Sequence, residues 1–151
     1  MIIKSVFQNE HTIPFKYTAT GENISPALSL DFVPKEAQSL VLIVDDPDAP
    51  SGTFDHWIVW DISPSIRLIS DGAPELNQMK VKQGTNHVGT RNYFGPKPPP
   101  GKPHRYFFKL YALDLPALNL PEGSTKKQVE EEMEGHILDK AEIIGIYQHP
   151  N

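Results

Sequence analysis

Apolar residues in this chain recur in short runs rather than in long helical stripes. Ile2 to Phe7, Ser39 to Asp45 (SLVLIVD), His56 to Ile62 (HWIVWDI), Arg105 to Asp114 (RYFFKLYALD) and Glu142 to Gln148 (EIIGIYQ) are rich in β-branched and aromatic residues. Pro, Gly or Asp bound them, which predicts strands. Several runs are apolar at consecutive positions, so both faces of those strands are expected to be covered, as in a sandwich. Only one stretch has a clear helical period. After Gly123, Ser124 or Thr125 can cap a helix that places Val129, Met133 and Ile137 at i, i+4 and i+8, with Lys126–Glu130 and Lys127–Glu131 pairs on its exposed side. The acidic run Glu130 to Glu132 with Glu134 reads as a solvated face, and a second short helix is weakly suggested around Glu75 to Val81. No repeat, linker or shift of composition divides the chain. Residues 1–151 are therefore read as one mainly β domain with one or two peripheral helices.

Composition narrows the chemistry. The 151 residues contain no Cys, which removes disulfides, thiolate metal sites and thiol nucleophiles and leaves His, carboxylates, hydroxyls and backbone. A net charge of −5 argues against nucleic acid as a partner, because such partners need a basic surface. The start, MIIKSVFQNEHTIP, lacks the pattern of a signal peptide, and the longest apolar stretch, Leu40 to Val44, is far shorter than the roughly 18 residues of a membrane span. A cytoplasmic protein without an integral membrane segment is expected. Proline is the anomaly: the 15 present are about twice the usual share of about 5%, which predicts shaped loops.

Two proline-bearing segments carry the candidate chemistry. DDPDAPSGTFDH leaves the second strand with Asp46 and Asp48 held beside Pro47 and Pro50, and the next strand opens at His56. Strict alternation there places His56, Ile58 and Trp60 on one face. In the second segment, NYFGPKPPPGKPHRYFFKLYALD, five prolines between Pro96 and Pro103 form a stiff loop. That loop leaves the Gly95 backbone open to close approach and delivers His104 and Tyr106 to one face of a strand. Arg105 points the other way, where a buried or half-buried ion pair with a loop acid is expected.

DPDAP followed by His56-Trp57, then GPKPPPGKPHRYFFKLYALD, resembles the phosphatidylethanolamine-binding proteins, and most closely their bacterial and archaeal Raf-kinase-inhibitor-like branch. IPFKYTATGENISPALSL (Ile13 to Leu30), VKQGTNHVGTRNYFGP and GHILDKAEIIGIY (Gly135 to Tyr147) extend the resemblance over nearly the whole chain. It implies a Greek-key sandwich of two antiparallel sheets and a small pocket for an anion such as phosphate, acetate or a phospholipid headgroup. The matching positions are Asp46, Asp48, Pro50, His56, Gly95, Pro96, His104 and Tyr106. Two imidazoles, a phenol and the Gly95 N–H would converge donors on the anion while an acid orients a His. The chain departs from the family pattern at Phe54 and Leu30, where Trp is common, and at Asn92 and Phe94, where Gly is common; Phe94 is expected to narrow the pocket mouth.

An enzyme is not expected, because no nucleophile motif is present and His56 and His104 lack metal-ligand spacing. Asp46, His56 and His104 would hold a metal only by converging at about 2 Å from one point, so neither metal nor cofactor is expected. The leading expectation is a regulatory or inhibitory binding module for a small anionic ligand. Kinase modulation is implied by the resemblance, and inhibition of a serine protease through the Pro-rich loop is the alternative. Aromatics expected to be exposed around Phe94, together with the pairing of relatives, suggest a homodimer.

Overall fold

The computed structural model describes residues 1–150. Its strands are β1 (Ile2–Ser5), β2 (His11–Thr12), β3 (Leu28–Asp31), β4 (Ser39–Asp46), β5 (Phe54–Ile62), β6 (Leu68–Ile69), β7 (Lys82–Gln83), β8 (His104–Leu113) and β9 (Ile137–Tyr147). Two α-helices, α1 (Pro74–Asn77) and α2 (Lys126–Met133), and a 3-10 turn at Phe15–Tyr17 complete it. The small sheet has the order β1-β3-β6 and the large one β2-β9-β8-β4-β5-β7. Pairing is antiparallel except between β2 and β9, a parallel contact at the sheet edge that departs from the expected all-antiparallel arrangement. The mainly β, two-sheet class expected from the apolar runs is what the chain adopts.

β4 explains why those runs are apolar on both faces: all eight of its residues are buried. Leu40, Leu42 and Val44 pack between the sheets with Ile3, Leu28, Leu30 and Ile69, while Val41 and Ile43 face outward beneath Val129 and Met133 of α2. The large sheet is thus covered twice at β4 and β5, and the helix is its second lid. Thr125 caps α2 in a reciprocal box with Gln128, as the sequence suggested. The helix nevertheless stops at Met133. Gly135 takes a left-handed backbone, φ 82°, and Ile137 opens β9 instead of extending the helical stripe. Lys126 also departs from expectation, reaching Asp45 and Asp55 rather than forming an exposed pair with Glu130.

The alternation predicted for the third apolar run breaks at His56. Val44 pairs with Trp57 and the next residue, Asp45, with Asp55, so β5 carries one residue more than β4 across that step. The extra residue is His56, at a β-bulge. Ile58 and Trp60 belong to the outer cluster under α2, whereas His56 lies against Tyr106 of the inner side. His56 therefore does not share the face of Ile58 and Trp60.

On the outer side of the bulge two carboxylates, Asp45 and Asp55, are cross-strand neighbours and both buried. Lys126 Nζ lies 3.1 Å from Asp45 Oδ2 and 2.8 Å from Asp55 Oδ1, and Lys109 Nζ lies 2.9 Å from Asp45 Oδ2. Burial alone lowers the Lys126 ammonium pKa, yet the hydrogen bond to Asp55 and the two negative charges outweigh it and the net shift is upward. Removing this cation leaves the buried Asp55 carboxylate without its ammonium beside Asp45, which Lys109 still holds. Lys126→Met should lose about 3–5 kcal/mol of unfolding free energy in urea titration, and adding Asp55→Asn should restore part of it. A further loss in the double variant would contradict this role.

Candidate functional site

Consecutive residues at the end of β4 serve opposite faces, as a strand requires. Asp45 turns outward to Lys109 and Lys126, and Asp46 turns inward. Asp46 Oδ2 accepts from His104 Nδ1 at 2.7 Å, and its Oδ1 accepts from the backbone N–H of Asp48 at 2.8 Å. Both oxygens are thereby occupied inside a buried pair, so Asp46 orients the imidazole and holds the loop. A carboxylate accepts and does not donate, which fixes the hydrogen of His104 on Nδ1.

His56 is fixed in the same sense. Its Nδ1 donates to the Phe94 carbonyl at 2.5 Å, and the Phe94 N–H returns a bond to the His56 carbonyl at 3.1 Å. The Phe94 ring stacks on the imidazole at 5.8 Å and 18°, Phe54 lies at 5.0 Å, and Tyr106 meets it edge-on at 5.2 Å. Burial pulls the His56 imidazole below its ordinary pKa, opposed but not cancelled by the Phe94 carbonyl and the charges of Asp46, Asp45 and Asp55. Burial, and then the charge of Asp46, pushes the Tyr106 phenol far up, so it stays a neutral hydroxyl.

These groups line a cavity of about 190 Å³ with Ala49, Pro50, Phe54, Phe94, Lys97, Pro98 and Pro99. Of the expected positions, Asp46, Pro50, His56, His104 and Tyr106 come together there. Asp48, Gly95 and Pro96 do not. Asp48 is tied to Arg105: the guanidinium donates to Oδ2 and Oδ1 at 2.9 Å each, and the Arg105 backbone N–H adds a third bond at 2.9 Å. The Arg105 side chain holds the Asp48 carboxyl down at about 2. The pairing of Arg105 with a loop acid is as expected, but the guanidinium is exposed rather than buried.

Gly95 is a clear correction. Its N–H, expected to face the anion, donates to Asn23 Oδ1 at 2.7 Å. The glycine is required because a Cβ would lie 2.3 Å from the Tyr17 carbonyl oxygen, a close backbone approach unrelated to any ligand. Pro96 is engaged in the same contact, its carbonyl accepting from the Ala19 N–H at 2.9 Å. Phe94 lines the cavity and is half-buried with its ring stacked on His56, a correction to the exposed aromatic expected there. The strongly exposed aromatics lie elsewhere, at Phe15 and Phe32.

Three contributors escaped the sequence reading. Lys97 is the cation on the cavity wall, Asn86 anchors the segment leading into it, and His87 braces its outer side. The Asn86 side chain donates to Thr90 Oγ1 and the Asn92 carbonyl at 2.9 Å each. His87 Nδ1 accepts from the Asp55 N–H at 2.8 Å, and its ring meets Phe54 edge-on at 5.2 Å. The Asn before His-Val-Gly-Thr was the available signal, since a buried Asn closing a tight loop is a common device.

Next to the cavity, across His104, lies an open depression of about 530 Å³ lined by Asp48, Lys102, Pro103, Arg105 and Ile146. Lys97 and Lys102 thus make a locally basic rim on a chain of net charge −5, the Arg105 charge being matched by Asp48. Among the described residues, no helix is long and apolar enough to cross a membrane.

Comparison with known proteins places this geometry. The family profile described as phosphatidylethanolamine-binding protein matches residues 3–148. A UPF0098 protein of Methanothermobacter thermautotrophicus is 49% identical over 144 residues, covering 94% of each chain. One from Aquifex aeolicus is 46% identical over 94% of this chain and 84% of its own. Among solved structures, a putative phosphatidylethanolamine-binding protein homolog from Chlamydia trachomatis superposes with a TM-score of 0.90 at 43% identity, covering 99% of this chain and 97% of its own. YbcL of E. coli, described as a member of the mammalian family, gives 0.88 at 27% identity, covering 98% of each. With the family profile spanning almost the full length and these relatives matched over nearly all of it, the chain belongs to the phosphatidylethanolamine-binding protein family.

Proposed function

We propose that this protein binds a small phosphate-type anion in the His56–His104 cavity and acts by binding rather than by catalysis. The observation that carries this reading is the pair of imidazoles, each pinned at Nδ1 and each left with a free Nε2, on the wall of one small cavity. When His104 is protonated, its Nε2–H is a charge-assisted donor; the Tyr106 hydroxyl and the Lys97 ammonium add to it. The basic rim draws an anion to an otherwise acidic molecule. The cavity wall contains no Ser, Thr or Cys, and its one hydroxyl is a phenol that stays protonated, which favours binding over nucleophilic catalysis.

A regulatory or inhibitory output would act through the proline loop. Pro98 is buried against the cavity and Gln148 Nε2 donates to the Gly101 carbonyl at 2.7 Å, so the loop is anchored at both ends of its exposed part. A segment held in this way loses little entropy when it docks on a kinase or protease.

Titration with inorganic phosphate should move the ring signals of His56 and His104 in NMR spectra, and His104→Ala should abolish the response. Asp46→Asn, which weakens the bond orienting His104, should reduce affinity about tenfold while leaving the fold intact. Unmoved imidazole signals at millimolar phosphate would remove the reading.

A further inference from the structure

A second pocket, of about 220 Å³, lies on the other side of the segment that carries Phe94. Residues 23–25, Trp57 of β5, α1 with the turn leading into it, Gln83 of β7 and residues 92–93 wall it. Asn92 and Tyr93 line this space while Phe94, the next residue, lines the His56 cavity, and no residue lines both. The two spaces are separate and share one stretch of backbone. None of the residues lining the second pocket is charged, on a chain in which 22% of positions are. An ion entering it would lose water and gain no opposite charge.

Carboxamides supply most of the polar lining, and two of them are fixed in orientation. Asn23 Oδ1 accepts from the Gly95 N–H at 2.7 Å, and Gln83 Oε1 accepts from Trp57 Nε1 at 2.7 Å. Both partners can only donate, so each amide must turn its oxygen toward them. The Asn23 and Gln83 NH2 groups are left over, and neither makes a hydrogen bond among the described residues. Ser25, only 3% exposed, adds a hydroxyl that is likewise without a partner among them. Asn77 and Asn92 are exposed, and their side-chain amides are unbonded at both ends among the described residues. Apolar surface comes from Ile24, Leu76 and Trp57, whose indole Tyr93 braces edge-on at 5.6 Å and 86°.

We infer that this pocket binds a neutral polyhydroxylated ring, a sugar in its pyranose form. A hydroxyl accepts from the two fixed NH2 groups and also exchanges donor and acceptor roles with Ser25, Asn77 and Asn92. A carbonyl only accepts and an ammonium only donates, so neither matches all of these groups. The C–H bonds of a pyranose cover the apolar wall, as ligand sites with a few placed polar groups require. At about 220 Å³ the space lies below the range of a drug-sized site and suits a single ring. This assignment stands apart from the anion reading, because it uses none of the residues of the His56 cavity.

The two tryptophans of the chain supply the readout. Trp57 bonds Gln83 at the pocket, whereas Trp60 lies beneath α2 with its Nε1 unpaired among the described residues. Indole N–H signals of the whole chain should be followed by NMR during titration with methyl glucoside, methyl galactoside and methyl mannoside up to about 100 mM. The Trp57 signal should move along a saturable millimolar curve with at least one of the three, and Trp60 should stay in place. Gln83→Glu keeps the acceptor for Trp57 and replaces the NH2 donor by a second acceptor, so it should weaken binding about tenfold. Asn77→Ala, a change at an exposed position, should weaken binding to a smaller extent and serves if Gln83→Glu fails to fold. 1,4-Dioxane, a ring that carries acceptors alone, should leave Trp57 unmoved at the same concentration. A still Trp57 signal with all three sugars, equal movement of both indoles, or an equal response to dioxane would overturn the assignment.

Discussion

The geometry at this end of the large sheet depends on one extra residue in β5. Without the bulge at His56, strand alternation would turn its imidazole outward with Ile58 and Trp60, under α2. With it, Asp45 and Asp55 remain paired on the outer side while His56 joins Asp46, His104 and Tyr106 on the inner side. A bulge also ends regular pairing with a bend, and it does so where the DPDAP loop must depart. One backbone irregularity thereby assigns two clusters of ionisable groups to opposite faces of the same strands.

The two clusters use the same residue types for different ends. Outside, lysines from β8 and α2 neutralise a carboxylate pair, and the result ties the helix to the sheet. Inside, the single carboxylate is spent on His104 and the Asp48 N–H, leaving the ring nitrogens rather than the acid to face the cavity. Phe54 lies between the clusters, touching His56 on one side and His87, the ring braced on Asp55, on the other. The wall of the cavity is therefore packed against the outer charge network, and rigidity at the imidazoles comes from both faces of the sheet.

Much of this was legible in the chain. The long strands β4, β5 and β8 announce themselves by local apolar runs, and the period of two correctly joins His104 to Tyr106. Asp46 and its prolines were legible because a rigid acidic turn before a His is chemically unusual. What escaped depends on partners remote in sequence. Gly95 looked open until Asn23, 72 positions away, took its N–H. Lys126 reads as a surface lysine of an amphipathic helix until Asp45, 81 positions away, is brought beneath it. Ile137 fits the helical stripe of Val129 and Met133, and only the backbone turn at Gly135 sends it into a strand. The two-residue strands β2, β6 and β7 exist through their pairing and carry no local signal.

Both imidazoles are locked with hydrogen on Nδ1, which leaves each Nε2 to the cavity. Two-bond proton–nitrogen correlation spectra of the histidine rings at neutral pH observe this directly, because protonated and bare ring nitrogens resonate in separate ranges. The account predicts His56 as the neutral Nδ1–H form with Nε2 unprotonated, and Nδ1 of His104 protonated. A His56 ring with its hydrogen on Nε2 would contradict it.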